Sequence, residues 1–297
     1  MKKRFFLSSA AVSVFGGLVI HFGFIDSDAQ AQKNQATSAK PASTTLTAKV
    51  ETPASALAGA ALANAKLRNS LEWTFGGKTQ TGFNIYVPLI THTIGTESGP
   101  DTADFALALS KWQEKSGLPE SGVLDFDTLD NLIKYWQSRR LGRAGLSASD
   151  LLLTAPIVEF YDPSRSPELL QMERETYAAY KRMIAAATKE LDAKITSPGE
   201  KFLRIVSAYR SPEYQEALRK KEPNAGRGAL AKNSPHSTGH ALDIYVGGEP
   251  VKTEDSNRWI QVQTAAYKWL VKNAEKFGFY PYFYEPWHWE YVPKQVK

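Results

Sequence analysis

Stretches with apolar residues at helical spacing alternate along this chain with short apolar runs of strand length. In Asp104-Phe105-Ala106-Leu107-Ala108-Leu109-Ser110-Lys111-Trp112-Gln113 the apolar positions predict a helix, closed by Gly117. Phe126 to Trp136 predicts another, capped by Asp125 or Asp127, with Leu129, Leu132, Ile133 and Trp136 on one face. Pro167 to Leu191 predicts a longer helix that turns Leu170, Tyr177, Tyr180, Ile184 and Leu191 to a core. Phe202 to Tyr209 reads as a buried strand. Ser211-Pro212-Glu213 then starts a helix, with a capping hydroxyl, a proline at the first position and an acid at the positive end. Ala241 to Val246 is a short strand ended by Gly247-Gly248, Ser256 to Phe277 a helix stopped by Gly278, and Trp287 to Val292 a last strand. Helices and strands mix without a regular βαβ repeat. The fold class this implies is α+β: a small mixed or antiparallel sheet with helices, preceded by a small all-α module.

The beginning of the chain follows a different pattern. Lys2, Lys3 and Arg4 precede an apolar stretch from Phe5 to Ile25, and Ala29-Gln30-Ala31 supplies small residues for cleavage. Residues 1–31 therefore read as a signal peptide or, if uncleaved, a membrane anchor, because the stretch approaches the ~20 residues that span a bilayer. The expected location is exported, in the periplasm or cell envelope. From Gln32 the composition turns to Ala, Ser, Thr, Lys and Pro, which reads as a low-complexity tether over 32–77 with a weak helix at Ala56 to Leu67. A helical module is expected over 78–137, a linker over 138–166, and the main domain over 167–297. Trp112-Gln113, Gly117-Leu118, Gly122-Val123-Leu124-Asp125 and Thr128 resemble the second half of the three-helix peptidoglycan-binding modules.

Composition narrows the chemistry. With 42% hydrophobic and 23% charged residues the chain has the balance of a globular protein, and 297 residues leave room for two cores. The formal charge of +5 suits an anionic surface, but Lys and Arg are interspersed with Asp and Glu. No basic stripe or aromatic platform argues for nucleic acid, and none is expected as a partner. There is no cysteine, so any metal is held by His and carboxylates.

Three of the five histidines, His236, His240 and His288, lie close to Asp243, Glu285 and Glu290 in the C-terminal part. A catalytic zinc takes three His or carboxylate ligands and leaves a position for water, and His236, Asp243 and His288 satisfy that count. His236 and His240 have the spacing of a helical zinc motif, but Pro235 and Gly239 argue against a helix there. Asp243 sits between Leu242 and Ile244, and a carboxylate buried on an apolar strand needs a cation or strong hydrogen bonds.

The segments Ser207-Ala208-Tyr209-Arg210-Ser211, Ser234-Pro235-His236-Ser237-Thr238-Gly239-His240-Ala241-Leu242-Asp243 and Glu285-Pro286-Trp287-His288 resemble the VanY-like zinc D-alanyl-D-alanine carboxypeptidase and dipeptidase family. The resemblance covers about Pro167 to Val292. It implies that His236, Asp243 and His288 hold Zn2+, that Glu285 is the general base, and that Arg210 stabilises the oxyanion or polarises the scissile carbonyl. Ser234 is implied as a substrate hydrogen-bond donor, and Trp287, with core packing as its default, has a second reading as a substrate-cleft wall. His240 is expected to be structural, and Glu290 to be solvated or in support of a ligand. The function implied is hydrolysis of the terminal D-Ala-D-Ala bond of peptidoglycan stem peptides. L,D-carboxypeptidase or endopeptidase action on the same polymer stays open, as does a wall-binding protein without hydrolysis. A membrane enters as partner only if the first apolar segment is uncleaved.

Overall fold

The computed structural model describes residues 52–141, 149–197, 199–221 and 234–294. The expected signal or anchor and the first part of the tether lie outside these residues. Among the described residues no helix is long and apolar enough to cross a membrane. Val50–Lys297 form one compact unit.

Structure begins earlier than the tether reading allowed. Helix α1 (Pro53–Ser70) starts at Thr52, whose side chain accepts from the Ser55 amide, and Pro occupies its first turn. Strands β1 (Glu72–Phe75) and β2 (Lys78–Thr81) follow as an antiparallel hairpin. The tether expected over 32–77 is contradicted from Pro53 onward, because Ala60, Ala61, Leu71 and Trp73 bury enough apolar surface to order the segment. Helices α2 (Val87–Ile94), α3 (Ala103–Lys115) and α4 (Phe126–Ser138) complete the N-terminal part. Asp125, rather than Asp127, caps α4 by accepting from the Thr128 amide at 2.9 Å.

The pattern that resembles a peptidoglycan-binding module has a structural job here. The Gln113 amide donates to the Val123 carbonyl at 3.0 Å and the Thr128 hydroxyl at 2.9 Å, and its oxygen accepts from the Gly122 amide at 2.8 Å. Asn64 on α1 clamps the same loop from the other side, donating to the Gly122 carbonyl at 2.9 Å and accepting from Leu124 N at 2.7 Å.

Downstream, β3 (Leu152–Thr154) pairs with β4 (Gln171–Glu173), which leads into α5 (Arg174–Glu190) and a single turn, α6 (Ala193–Thr196). The helix predicted from Pro167 thus starts only at Arg174, where the Glu173 carboxylate accepts from the Thr176 amide at 2.8 Å. Next come β5 (Ile205–Ser207), α7 (Pro212–Lys221), β6 (Ala241–Ile244), α8 (Asp255–Gln263), α9 (Ala265–Asn273), β7 (Phe279–Pro281) and β8 (His288–Tyr291). The helix predicted over Ser256 to Phe277 breaks at Thr264. That residue is extended, its hydroxyl donates to the Val246 carbonyl at 2.8 Å, and it accepts from the Tyr267 amide to start α9.

The central sheet has the order β5-β6-β8-β7, antiparallel throughout. Together with the helices this is the α+β class. One hydrophobic core runs from Leu71 to Tyr291 without a break at the expected linker. Trp73, Tyr86 and Trp136 from the N-terminal part surround Phe283, with ring centroids 6.4, 5.7 and 6.1 Å away. Arg139, just past α4, pairs with Glu275 and lies over the Tyr280 ring.

Candidate metal centre

The two inner strands of the sheet and one tight turn build the site. Asp243 on β6 is the register partner of His288 on β8, so their side chains leave the same face of the sheet. His236 comes from the 3-10 turn Pro235–Thr238. Ser234 caps that turn, and Gly239 ends it at φ 76°. A Cβ at Gly239 would meet the Glu173 amide nitrogen at 2.8 Å, so both backbone conformation and space require glycine between the ligand turn and β6.

Three donor atoms converge. His236 Nε2 lies 3.2 Å from Asp243 Oδ1 and 3.3 Å from His288 Nδ1, and the last two atoms are 3.0 Å apart. Donors bonded to one tetrahedral ion at ~2.0–2.2 Å stand roughly 3.3–3.5 Å from one another, so the triangle fits a metal with little adjustment. All three side chains are buried, and they form the one such cluster among the described residues.

Each ligand is oriented from behind. His236 Nδ1 lies 2.6 Å from the Ala208 carbonyl, so this nitrogen donates and Nε2 turns its lone pair inward. His288 is held the other way round. Its Nε2 donates to Glu290 Oε1 at 3.1 Å, which leaves Nδ1 facing the triangle. Asp243 divides its oxygens, with Oδ1 toward the histidines and Oδ2 accepting from Arg210 Nη2 at 2.5 Å. Arg210 Nε in turn donates to Ser207 Oγ at 2.9 Å.

The electrostatics call for a positive charge at the centre. Burial pushes His236 down to about 4, with Arg210 adding to the effect. Burial also disfavours charge on His288, but its bonds to Asp243 and Glu290 outweigh this and raise it to about 9. Burial works against ionised Asp243 as well, and His236 and Arg210 overcome it, holding the carboxyl well below its usual range. Without an ion, a proton on His288 supplies the charge that the buried carboxylate needs.

Glu285 stands three residues before His288, in a turn closed by the His288 amide donating to the Glu285 carbonyl at 2.9 Å. Its carboxyl is raised to about 7, chiefly by burial, with Asp243 adding and His288 and Arg210 opposing. Among the described residues nothing hydrogen-bonds that carboxylate. A buried, uncommitted carboxyl that titrates near neutrality can both take and return a proton.

The remaining sequence candidates take other places. His240 Nδ1 lies 2.8 Å from Thr176 Oγ1 and faces Glu173, so it is structural and does not join the cluster. Ser234 accepts from the His236 amide at 3.4 Å as the turn's cap. Trp287 is 3% exposed and belongs to the core, its default reading, so the second reading as a substrate-cleft wall is corrected. Glu290 is fully buried, accepts from Leu141 N at 3.1 Å and pairs with Arg140. No motif or periodicity marks Arg140 or Arg165. Phe160 pairs in parallel with Ile205, which carries the residues after it toward Arg210. Arg165 has its Nε buried without a hydrogen-bond partner among the described residues, and Tyr214, Arg210 and Asp243 all act on its charge.

Residues 169–294 match the family described as VanY: D-alanyl-D-alanine carboxypeptidase. These residues form a domain of this family. A curated relative, the putative carboxypeptidase YodJ of Bacillus subtilis (strain 168), is 32% identical over 166 residues. That match takes in 50% of this chain and 55% of the relative, so the chain spans about half the relative's length. Among solved structures, the LdcB LD-carboxypeptidase is 31% identical at a TM-score of 0.37, over 50% of this chain and 71% of that one. A vancomycin-resistance D,D-pentapeptidase VanY in complex with Zn(II) is 19% identical at a TM-score of 0.33, over 53% of this chain and 89% of the other. The VanY match covers β4 to β8 and so includes all three donors, Arg210 and Glu285, but it leaves out Arg140 and Arg165.

Proposed function

We propose that this protein is an exported zinc D,D-carboxypeptidase that hydrolyses the terminal D-Ala-D-Ala bond of peptidoglycan stem peptides. The observation that carries the reading is the open triangle of His236, Asp243 and His288 beside an uncommitted Glu285. A structural metal site is normally closed by a fourth protein ligand, and the nearest candidate by sequence, His240, is tied to Thr176. That favours an enzyme over a wall-binding protein without turnover.

Zinc bound by the three donors would supply Lewis acidity, lowering the pKa of water to ~7 and polarising a carbonyl. The chain's own groups do the rest. Glu285 accepts the proton of the attacking water and passes it to the departing amine. Arg210, fixed by Ser207 and Asp243 through Nε and Nη2, keeps its remaining N–H groups for the oxygen that gains charge. Arg165 offers a guanidinium whose buried Nε has no hydrogen-bond partner among the described residues, which suits the free carboxylate that distinguishes a chain end from an internal bond. This favours carboxypeptidase over endopeptidase action. The N-terminal helices, in this reading, face the cell wall.

Mass spectrometry of products from two defined muropeptides tests the assignment, one ending in D-Ala-D-Ala and one with a single D-Ala after the diamino acid. Loss of one alanine from the first substrate alone is expected. Cleavage of the second alone would replace the reading with L,D-carboxypeptidase action, and cleavage of neither in the presence of zinc would remove it.

A further inference from the structure

The His288 ligand is oriented by a residue far outside the part of the chain that carries the metal-binding motifs. Behind its Nε2 stands Glu290, and behind Glu290 stands Arg140, two residues past the end of α4. Glu290 Oε1 takes both the His288 N–H and the Arg140 guanidinium, while Oε2 accepts the Leu141 amide at 3.1 Å. The carboxylate is thus held by one cation and one backbone amide from the N-terminal part, at a sequence separation of 150.

Arg140 is itself fixed. Nη1 donates to Gln137 Oε1 at 2.7 Å, and the guanidinium carbon lies 4.2 Å from the centroid of the Tyr282 ring. Tyr282 belongs to the turn that leads to the base and the ligand, since its carbonyl accepts the Glu285 amide and its own amide donates to the His288 carbonyl. Arg140 therefore touches two supports of the centre, the carboxylate behind His288 and the Tyr282 ring, whose centroid lies 5.9 Å from that of His288.

We infer that Arg140 is a positioning residue for the metal centre, acting through Glu290 on His288, so that the helices before it are part of the peptidase rather than an attachment to it. Two things recommend this over a purely structural ion pair. A surface pair contributes little, whereas Glu290 is wholly buried and would be left as an uncompensated charge beside the ligand if Arg140 were removed. The carboxylate that fixes a ligating imidazole has a measurable effect on metal affinity, typically ~10–100-fold. A peptidase cut to 167–297 keeps every motif residue and lacks this support.

The inference rests on the three donors being metal ligands, and the experiment separates the two claims. Zinc affinity is measured on the full chain by competition with a chromophoric chelator for the unaltered protein, Arg140→Met, Glu290→Gln and the double variant. Each single variant is expected to bind zinc about 10–100-fold more weakly. The double variant should be no weaker than Glu290→Gln alone, because Arg140 has nothing left to act through. Arg140→Lys keeps the charge and should recover part of the loss. A second readout is the His288 Nε2–H proton resonance in the metal-free protein, slow to exchange when Glu290 is held and broadened in Arg140→Met. Full zinc affinity in Arg140→Met, or losses that simply add in the double variant, would overturn the inference and leave the metal site standing. Absence of zinc binding by the unaltered chain would instead overturn the metal reading and this inference with it. Should Arg140→Met not fold, Arg140→Lys in the presence and absence of Glu290→Gln runs the same cycle.

Discussion

Two buried polar hubs, one around Gln113 and one around Asp243, are built on opposite principles. At Gln113 the amide oxygen and nitrogen all find protein partners, and the loop they hold is clamped again by Asn64. At Asp243 two imidazoles and a carboxylate converge on one point, and a neighbouring carboxyl, Glu285, has no hydrogen-bond partner among the described residues. A satisfied hub fixes a shape. An unsatisfied one keeps a place for an ion and a proton.

The comparison breaks most visibly at His288. His288→Ala is expected to lose both zinc and turnover, whereas Glu285→Gln should keep zinc stoichiometry in metal analysis and lose turnover by ~10²–10⁴-fold. Loss of zinc in Glu285→Gln would recast that residue as a ligand. A smaller effect is expected at Arg165. Arg165→Ala should raise KM for a free-carboxylate substrate by about ten- to a hundredfold with kcat little changed, and should not affect an amidated peptide. Equal effects on both substrates would detach Arg165 from carboxylate recognition.

Metal binding should also displace a proton. His288 keeps its proton up to about 9 in the metal-free protein, so zinc binding at neutral pH must expel it. Affinity is therefore expected to rise with pH, by up to about tenfold per unit below that value, and to level off above it. Calorimetry in buffers of different ionisation enthalpy measures the release. Gln113 sharpens the contrast from the other side. Gln113→Ala should cost about 1–3 kcal/mol in denaturant unfolding, because the Gly122 amide is left unpaired, while zinc affinity stays as it was.

How much of this was legible in the sequence follows from distance along the chain. His236, Asp243, Glu285 and His288 stood out because their residue types are scarce and sit in short motifs. The stop at Gly117 after α3 and the Asp125 cap of α4 were legible for the same local reason. The break at Thr264 was not, since apolar spacing continues through it and only the Val246 carbonyl makes the interruption favourable. The hairpin Glu72–Thr81 was missed because its strands are short and mostly polar, with only Trp73, Phe75 and Gln80 turned toward the core. Arg140, Arg165 and the choice between core and cleft for Trp287 were beyond reach for a third reason. Whether an arginine or tryptophan serves the site depends on what folding brings beside it, and no periodicity encodes that.

The register of β6 against β8 has one more consequence. Four short strands make a sheet that could pair in more than one alignment, and a slip by a single residue would turn Asp243 and His288 to opposite sides. Only the correct alignment can grip an ion. A bound metal thus acts as a proofreader of strand pairing, rewarding one alignment and leaving every shifted one empty-handed, so that a chelator should loosen the sheet as well as silence the enzyme.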